Sequence, residues 1–193
     1  MHEVHGDSET IRSGNTTRRV SATTGAISLT LDGPTPKGEE DVLKACGMLR
    51  ERLALVGEHW PGFRQVQVDE DETIDAVAER LDENGVTEKL EIQVTRPLAS
   101  QAWRDLSTGL SHSASPRESA RALIDAIQHK VSRYDPVRRS GVVLLLDATT
   151  AMNFVLAVVL DEFREQHEAA ARQAGFRAVW IAGPTAALTF QLA

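Results

Sequence analysis

Lys89-Leu90-Glu91-Ile92-Gln93-Val94-Thr95-Arg96-Pro97 is the stretch around which the rest of the chain has to fold. Leu90, Ile92 and Val94 alternate with Glu91, Gln93 and Thr95. At a period of two the first set faces a core and the second faces something polar. An acid and an amide on one face of an otherwise apolar strand supply groups from which a site can be built. Upstream, Thr73-Ile74-Asp75-Ala76-Val77-Ala78 reads as the preceding strand, and the turn-rich Asp82-Glu83-Asn84-Gly85 joins the two as a hairpin. Folding back about Asn84-Gly85 brings Asp75 opposite Gln93, Val94 or Thr95 according to loop length. A slip of one residue decides which face Asp75 shares.

Working outward, residues 63–68 read as a further strand, so three strands with tight connections make an antiparallel meander over 63–95. Before it, Val42, Leu43, Cys46, Leu49, Leu53 and Val56 recur at helical spacing from Glu39, with acids in the first turn and Gly57 as a stop. Ala26 to Leu31 alternates as a strand, and residues 1–24, with no apolar periodicity, read as a disordered tail. After the hairpin, Leu98 to Ser115 is irregular, with Trp103 and Leu106 docking it to the body. Ser115, Pro116 and Glu118 then spell a capped helix start, and Leu123, Ile127, Val131 and Tyr134 form its stripe.

Gly141 to Asp147 is apolar on both faces, the mark of a central strand with a parallel neighbour. Asp147 falls at its carboxyl end, where open α/β sheets gather ligands, so Asp147, Thr149, Thr150 and Asn153 form a second candidate site. The plainer reading makes Asp147 or one of the threonines a cap for a helix over 151–174. A strand from Phe176 and an edge strand over 188–192 close the chain. The expected fold class is α/β, with a central mixed sheet flanked by helices: an α-β-β-β-α-β core followed by a helix and strands. Residues 25–193 form its single domain.

An Asp on one strand, a Glu two residues before a polar residue on the next, and then a helix with Lys130 and Tyr134 together resemble the PD-(D/E)XK nuclease-like superfamily over about residues 39–147. The resemblance implies that Asp75 and Glu91 hold Mg²⁺ or Mn²⁺, and that a lysine helps activate water. Gln93 stands where that lysine is expected. The resemblance allows the lysine to come from the following helix, which puts Lys130 in the role and leaves Lys89 next in line. The catalytic set is then Asp75, Glu91, Gln93 and Lys130, and the implied activity is metal-dependent hydrolysis of phosphodiester bonds in DNA or RNA. The alternative is a non-catalytic interaction module that kept the architecture and lost the lysine.

Composition bounds these readings. The formal net charge of −7 weighs against tight non-specific binding to nucleic acid, which rests on cationic contacts to phosphates. Between Arg96 and Arg139, however, eight cations outnumber four acids, a basic patch suited to a nucleic-acid partner, while the acidic balance elsewhere leaves room for a protein partner or a homodimer. The single Cys46 excludes an internal disulfide and fits a reducing cytoplasm, and the polar first residues carry no apolar signal segment. The apolar run from Ala151 to Leu160 is too short to span a bilayer, so no membrane role is expected. No phosphate-binding glycine loop, zinc-ligand cluster or nucleophile elbow occurs.

Overall fold

The computed structural model describes residues 2–5, 8–13, 16–21, 27–31, 39–66, 73–82, 84–97, 115–150 and 152–193. The chain divides into two units, residues 1–38 with 99–113, and residues 39–98 with 114–193. In the first unit four strands, β1 (His2–His5), β2 (Ser8–Ser13), β3 (Thr16–Ser21) and β4 (Ile27–Leu31), pair antiparallel in chain order. They stand where a tail is expected over 1–24. The β-branched residues Thr10, Ile11, Thr16, Thr17 and Val20 lie in these strands, and strand pairing uses backbone groups that an apolar-periodicity reading does not weigh. The expected strand over 26–31 coincides with β4.

The second unit is the α/β body. Helix α1 (Glu39–Leu55) leads into β5 (Arg64–Gln65), β6 (Ala76–Leu81) and β7 (Thr87–Thr95). Helices α2 (Pro116–Val131) and α3 (Pro136–Ser140) precede β8 (Val142–Asp147). A 3-10 turn (Met152–Val155), α4 (Ala157–Gln173), β9 (Ala178–Ala182), a second 3-10 turn (Ala186–Leu188) and β10 (Phe190–Gln191) complete it. The six strands β5 to β10 lie side by side in chain order. The pairs β5–β6, β6–β7 and β9–β10 are antiparallel, and β7–β8 and β8–β9 are parallel. This is the α-β-β-β-α-β arrangement read from the sequence, in a mixed sheet flanked by helices.

The sheet separates two apolar layers. Val42, Cys46 and Leu49 of α1 pack on Leu90, Ile92, Val94, Val143 and Leu145. Leu123 and Ile127 of α2 and Leu160 and Phe163 of α4 pack on Leu144 and Leu146. Both parallel connections step to the next neighbour in the same direction, and α2 and α4 pack together in one apolar layer on one face of the sheet. Every residue of β8 is buried, as its unbroken apolar run demands.

Several boundaries move from their expected places. The strand expected over 73–78 is paired over Ala76–Leu81. Its second half, Glu-Arg-Leu, has little β-propensity of its own and takes its conformation from the partner strand. Of the strand expected over 63–68, Arg64 and Gln65 are paired in β5 and Val66 N adds a bond to Asp75 O at 3.0 Å, while residues 67 and 68 lie outside the described residues. The expected helix over 151–174 is broken at Leu156, whose extended backbone caps α4 without a side-chain hydrogen bond. The short α3 escapes the periodicity argument because five residues do not complete two turns. The segment with Trp103 and Leu106 lies outside the described residues.

Candidate functional site

The hairpin register is set at its turn. Asp82 accepts from Asn84 N at 2.9 Å and from Val86 N at 2.7 Å, while Gly85 takes φ of +75°, a conformation glycine adopts without steric cost. The Val86 bond is the largest influence, and although desolvation opposes it, the Asn84 bonds add to it and the Asp82 carboxyl is held below its ordinary range. From this turn the ladder runs Leu81 to Thr87 through Ala76 to Ile92. One step further stands Gln93 opposite Asp75, the first of the three partners that loop length left open. Arg80 reinforces the pairing: it bonds Glu88 directly across at 2.8 Å, lies 3.9 Å over the Trp60 ring, and donates to His59 O.

Because Leu90, Ile92 and Val94 are committed to the α1 layer, Glu91 and Gln93 face α2 and α3. There the chain after α2 turns over the sheet, and Tyr134 shares its one hydroxyl proton between Gln93 Oε1 and the Thr73 carbonyl. With its oxygen so engaged, Gln93 turns its Nε2 to Asp75 Oδ2 and to Val94 O. The same Asp75 oxygen accepts from Val94 N at 2.6 Å. Gln93 is 4% exposed and Tyr134 8%, so this is a buried polar network whose donors and acceptors answer one another. It fixes the Asp75 carboxylate against β7.

Glu91 has different partners. Arg138 of α3 donates to its Oε2, and Lys89 Nζ lies 3.4 Å from its Oε1. Partial burial opposes the charged form, but the hydrogen bonds and positive charges of Arg138 and Lys89 prevail and hold the Glu91 carboxyl below its ordinary range. Asp75, Glu91 and Gln93 therefore share one face of the sheet but divide into two groups, one closed by Tyr134 and the other by Arg138. Lys130 is half-buried in the last turn of α2. It follows Ile127 by three residues and Leu123 by seven, on the helix side that packs inward.

A hard divalent cation asks for about six oxygen ligands. Among the described residues no three His, Cys, Asp or Glu side chains gather around a common point. Glu91 already carries two cationic partners, and the Asp75 oxygen that faces β7 is spent on two N–H donors. The residues present do not fit a bound Mg²⁺ or Mn²⁺ unless Arg138 leaves Glu91.

The second candidate sits at the carboxyl end of the parallel strands. Asp147 is 7% exposed, and its Oδ1 accepts from Thr149 N at 3.0 Å and Thr149 Oγ1 at 2.7 Å. Arg96, at the end of β7, bridges Asp147 at 3.5 Å and Asp41 of α1 at 2.6 Å. Asp147 thus caps a local turn and ties β8 to β7, whereas the expected role as a helix cap is not taken, since α4 begins ten residues later. Thr150 is exposed, and the Asn153 side chain lies outside the described residues. Arg96 and Arg138 carry the long-range pairs that sequence reasoning missed. Asp135-Pro136, a capping residue before a first-turn proline, was the available signal for the helix that delivers Arg138.

Among the described residues no helix is long and apolar enough to cross a membrane. No family model, curated protein or solved structure matches the chain, so the reading of its function rests on the geometry above.

Proposed function

We propose that the chain is a non-catalytic interaction module on a nuclease-like architecture, in which internal cations and an amide occupy the places where a hydrolase would keep a metal and a lysine. The observation that carries this is the clasp on Glu91 by Arg138 and Lys89. A carboxylate neutralised twice from within has little charge left to offer a metal ion. Asp75 adds to the case by serving Gln93 and Val94 N. The test is thermal unfolding and oligonucleotide cleavage in millimolar Mg²⁺ or Mn²⁺, with chelator controls. No shift in Tm and no cleavage of DNA or RNA are expected. A metal-dependent rise in Tm that disappears in both Asp75→Ala and Glu91→Ala would overturn the reading.

A second reading, Mg²⁺-dependent hydrolysis of phosphodiester bonds, is favoured by one observation: Asp75, Glu91 and Gln93 lie on one sheet face, and Lys130 lies on the inward side of the helix above them. If cleavage is found, Lys130→Met should remove most of it without unfolding the protein. Full activity in that variant would turn attention to Lys89.

A further inference from the structure

Buried Tyr134 and buried Val142 enclose Asp135 to Gly141, a stretch in which no residue is buried. Helix α3 lies within it and is closed by its own bonds: Asp135 accepts from Val137 N at 2.7 Å, Arg139 N donates to Asp135 O at 2.9 Å, and Gly141 N donates to Arg138 O at 3.2 Å. Its valine, Val137, is 82% exposed. Two arginines reach the body instead. Arg138 donates to Glu91, whose side chain is left 18% exposed. Arg139 donates to Val131 O at 3.0 Å and lies 5.9 Å from the centre of the Phe176 ring, but its Nε is buried with no hydrogen-bond partner among the described residues.

We propose that α3 is a latch over the polar face of β7: it opens as a unit while the sheet, α2 and α4 stay folded, and the Arg138–Glu91 pair sets how often it does so. Apolar burial is what ties most local structure to the rest of a body, and α3 contributes almost none. Its opening exchanges hydrogen bonds and a charge pair for contacts with water, a far smaller loss than uncovering a core helix. The buried Arg139 Nε lowers that loss further, since opening returns it to solvent. Both ends of the latch are fixed points, because Tyr134 is held by Gln93 and the Thr73 carbonyl, and Val142 is paired in β8 with Glu91. When α3 lifts, Glu91 loses Arg138 and keeps Lys89 of its own strand. The carboxylate then turns from an internal charge into one that a cationic group from outside can meet. Such a latch is independent of whether the chain cleaves nucleic acid.

The test is amide hydrogen exchange of the full chain under native conditions, followed by NMR at fixed pH in urea concentrations below the unfolding transition. In the parent, the Arg139 and Gly141 amides should be protected, yet exchange about a hundredfold or more faster than the amides of β8. Their rates should change little with urea, because a segment that buries no side chain exposes little new surface on opening, whereas the β8 amides should speed up steeply. Arg138→Met keeps the stem and removes the charge. It should speed exchange at Arg139 and Gly141 about fivefold or more, as should Glu91→Gln. The double variant should gain no more than the faster single one, since both changes remove the same contact. The urea dependence is read on the parent, so a variant that folds poorly leaves the latch testable. Four results each overturn it: unprotected α3 amides in the parent, α3 amides that match β8 in rate and urea dependence, unchanged rates in Arg138→Met, or a double variant whose gain is the product of the two single gains.

Discussion

Gln93 shows how one amide can settle a face that a sequence leaves open. Its oxygen meets a hydroxyl and its nitrogen a carboxylate, and because the carboxylate only accepts, the amide cannot be turned end for end. Tyr134→Phe removes the hydroxyl while keeping the ring. Unfolding in urea should show a loss of about 1–2 kcal/mol, because buried acceptors on Gln93 and Thr73 are left without that donor. A loss below about 0.3 kcal/mol would mean that water replaces the hydroxyl without cost. Glu91 gives a pH signature. Its carboxyl sits below the ordinary glutamate value of 4.5 in the folded chain, so its pairing stabilises the fold above that value and the contribution is lost as pH falls through the folded value. Glu91→Gln should flatten this part of the acid limb, and an unchanged slope of stability against pH would contradict the assigned pairing. Alternation alone placed Glu91 and Gln93 on one face. It gave no access to the partners, because Tyr134 and Arg138 come from 41 and 47 residues away and their approach depends on how α2 and α3 cross the sheet.

At the scale of elements, legibility follows how local the deciding interaction is. The start of α2 was readable because Ser115 and Glu118 satisfy each other's backbone within a single turn. The break before α4 was not, since Leu156 offers no side-chain cap and the apolar pattern runs through it without interruption. That omission leaves room for improvement. Leu156 is 49% exposed with extended backbone angles, so Leu156→Asp should add a cap to α4 and raise stability by about 0.5–1 kcal/mol. A fall in Tm would mean that the exposed leucine makes apolar contacts worth more than a cap. The turn after β9 is less forgiving. A Cβ on Gly183 would come 2.3 Å from Leu188 O and 2.9 Å from its Cβ, so Gly183→Ala must displace backbone and should cost about 1–3 kcal/mol. Equal urea midpoints for the variant and the parent would show that the turn yields freely.

At the scale of the whole body, the sheet stands between two cores that meet little except through it. Leu49 belongs to the α1 layer and Ile127 to the opposite one, each almost fully buried. Leu49→Ala and Ile127→Ala should each cost about 2–5 kcal/mol, and in the double variant the costs should add to within about 0.5 kcal/mol. Coupling above about 1 kcal/mol would show that the sheet transmits repacking from one layer to the other. This two-sided architecture was legible in β8 alone, from Val142 to Leu146, because only a strand covered on both faces can be apolar throughout.

The strand order carries a consequence for how the body comes into being. From β5 to β10 spatial order equals chain order, so no later strand has to be inserted between two that are already joined. As the chain emerges from its N-terminal side, each new strand pairs with the edge left by its predecessor and becomes the next edge. Growth by accretion of this kind needs no reopening of a finished ladder. It ends where β10, only two residues long, offers little for a stranger to pair with.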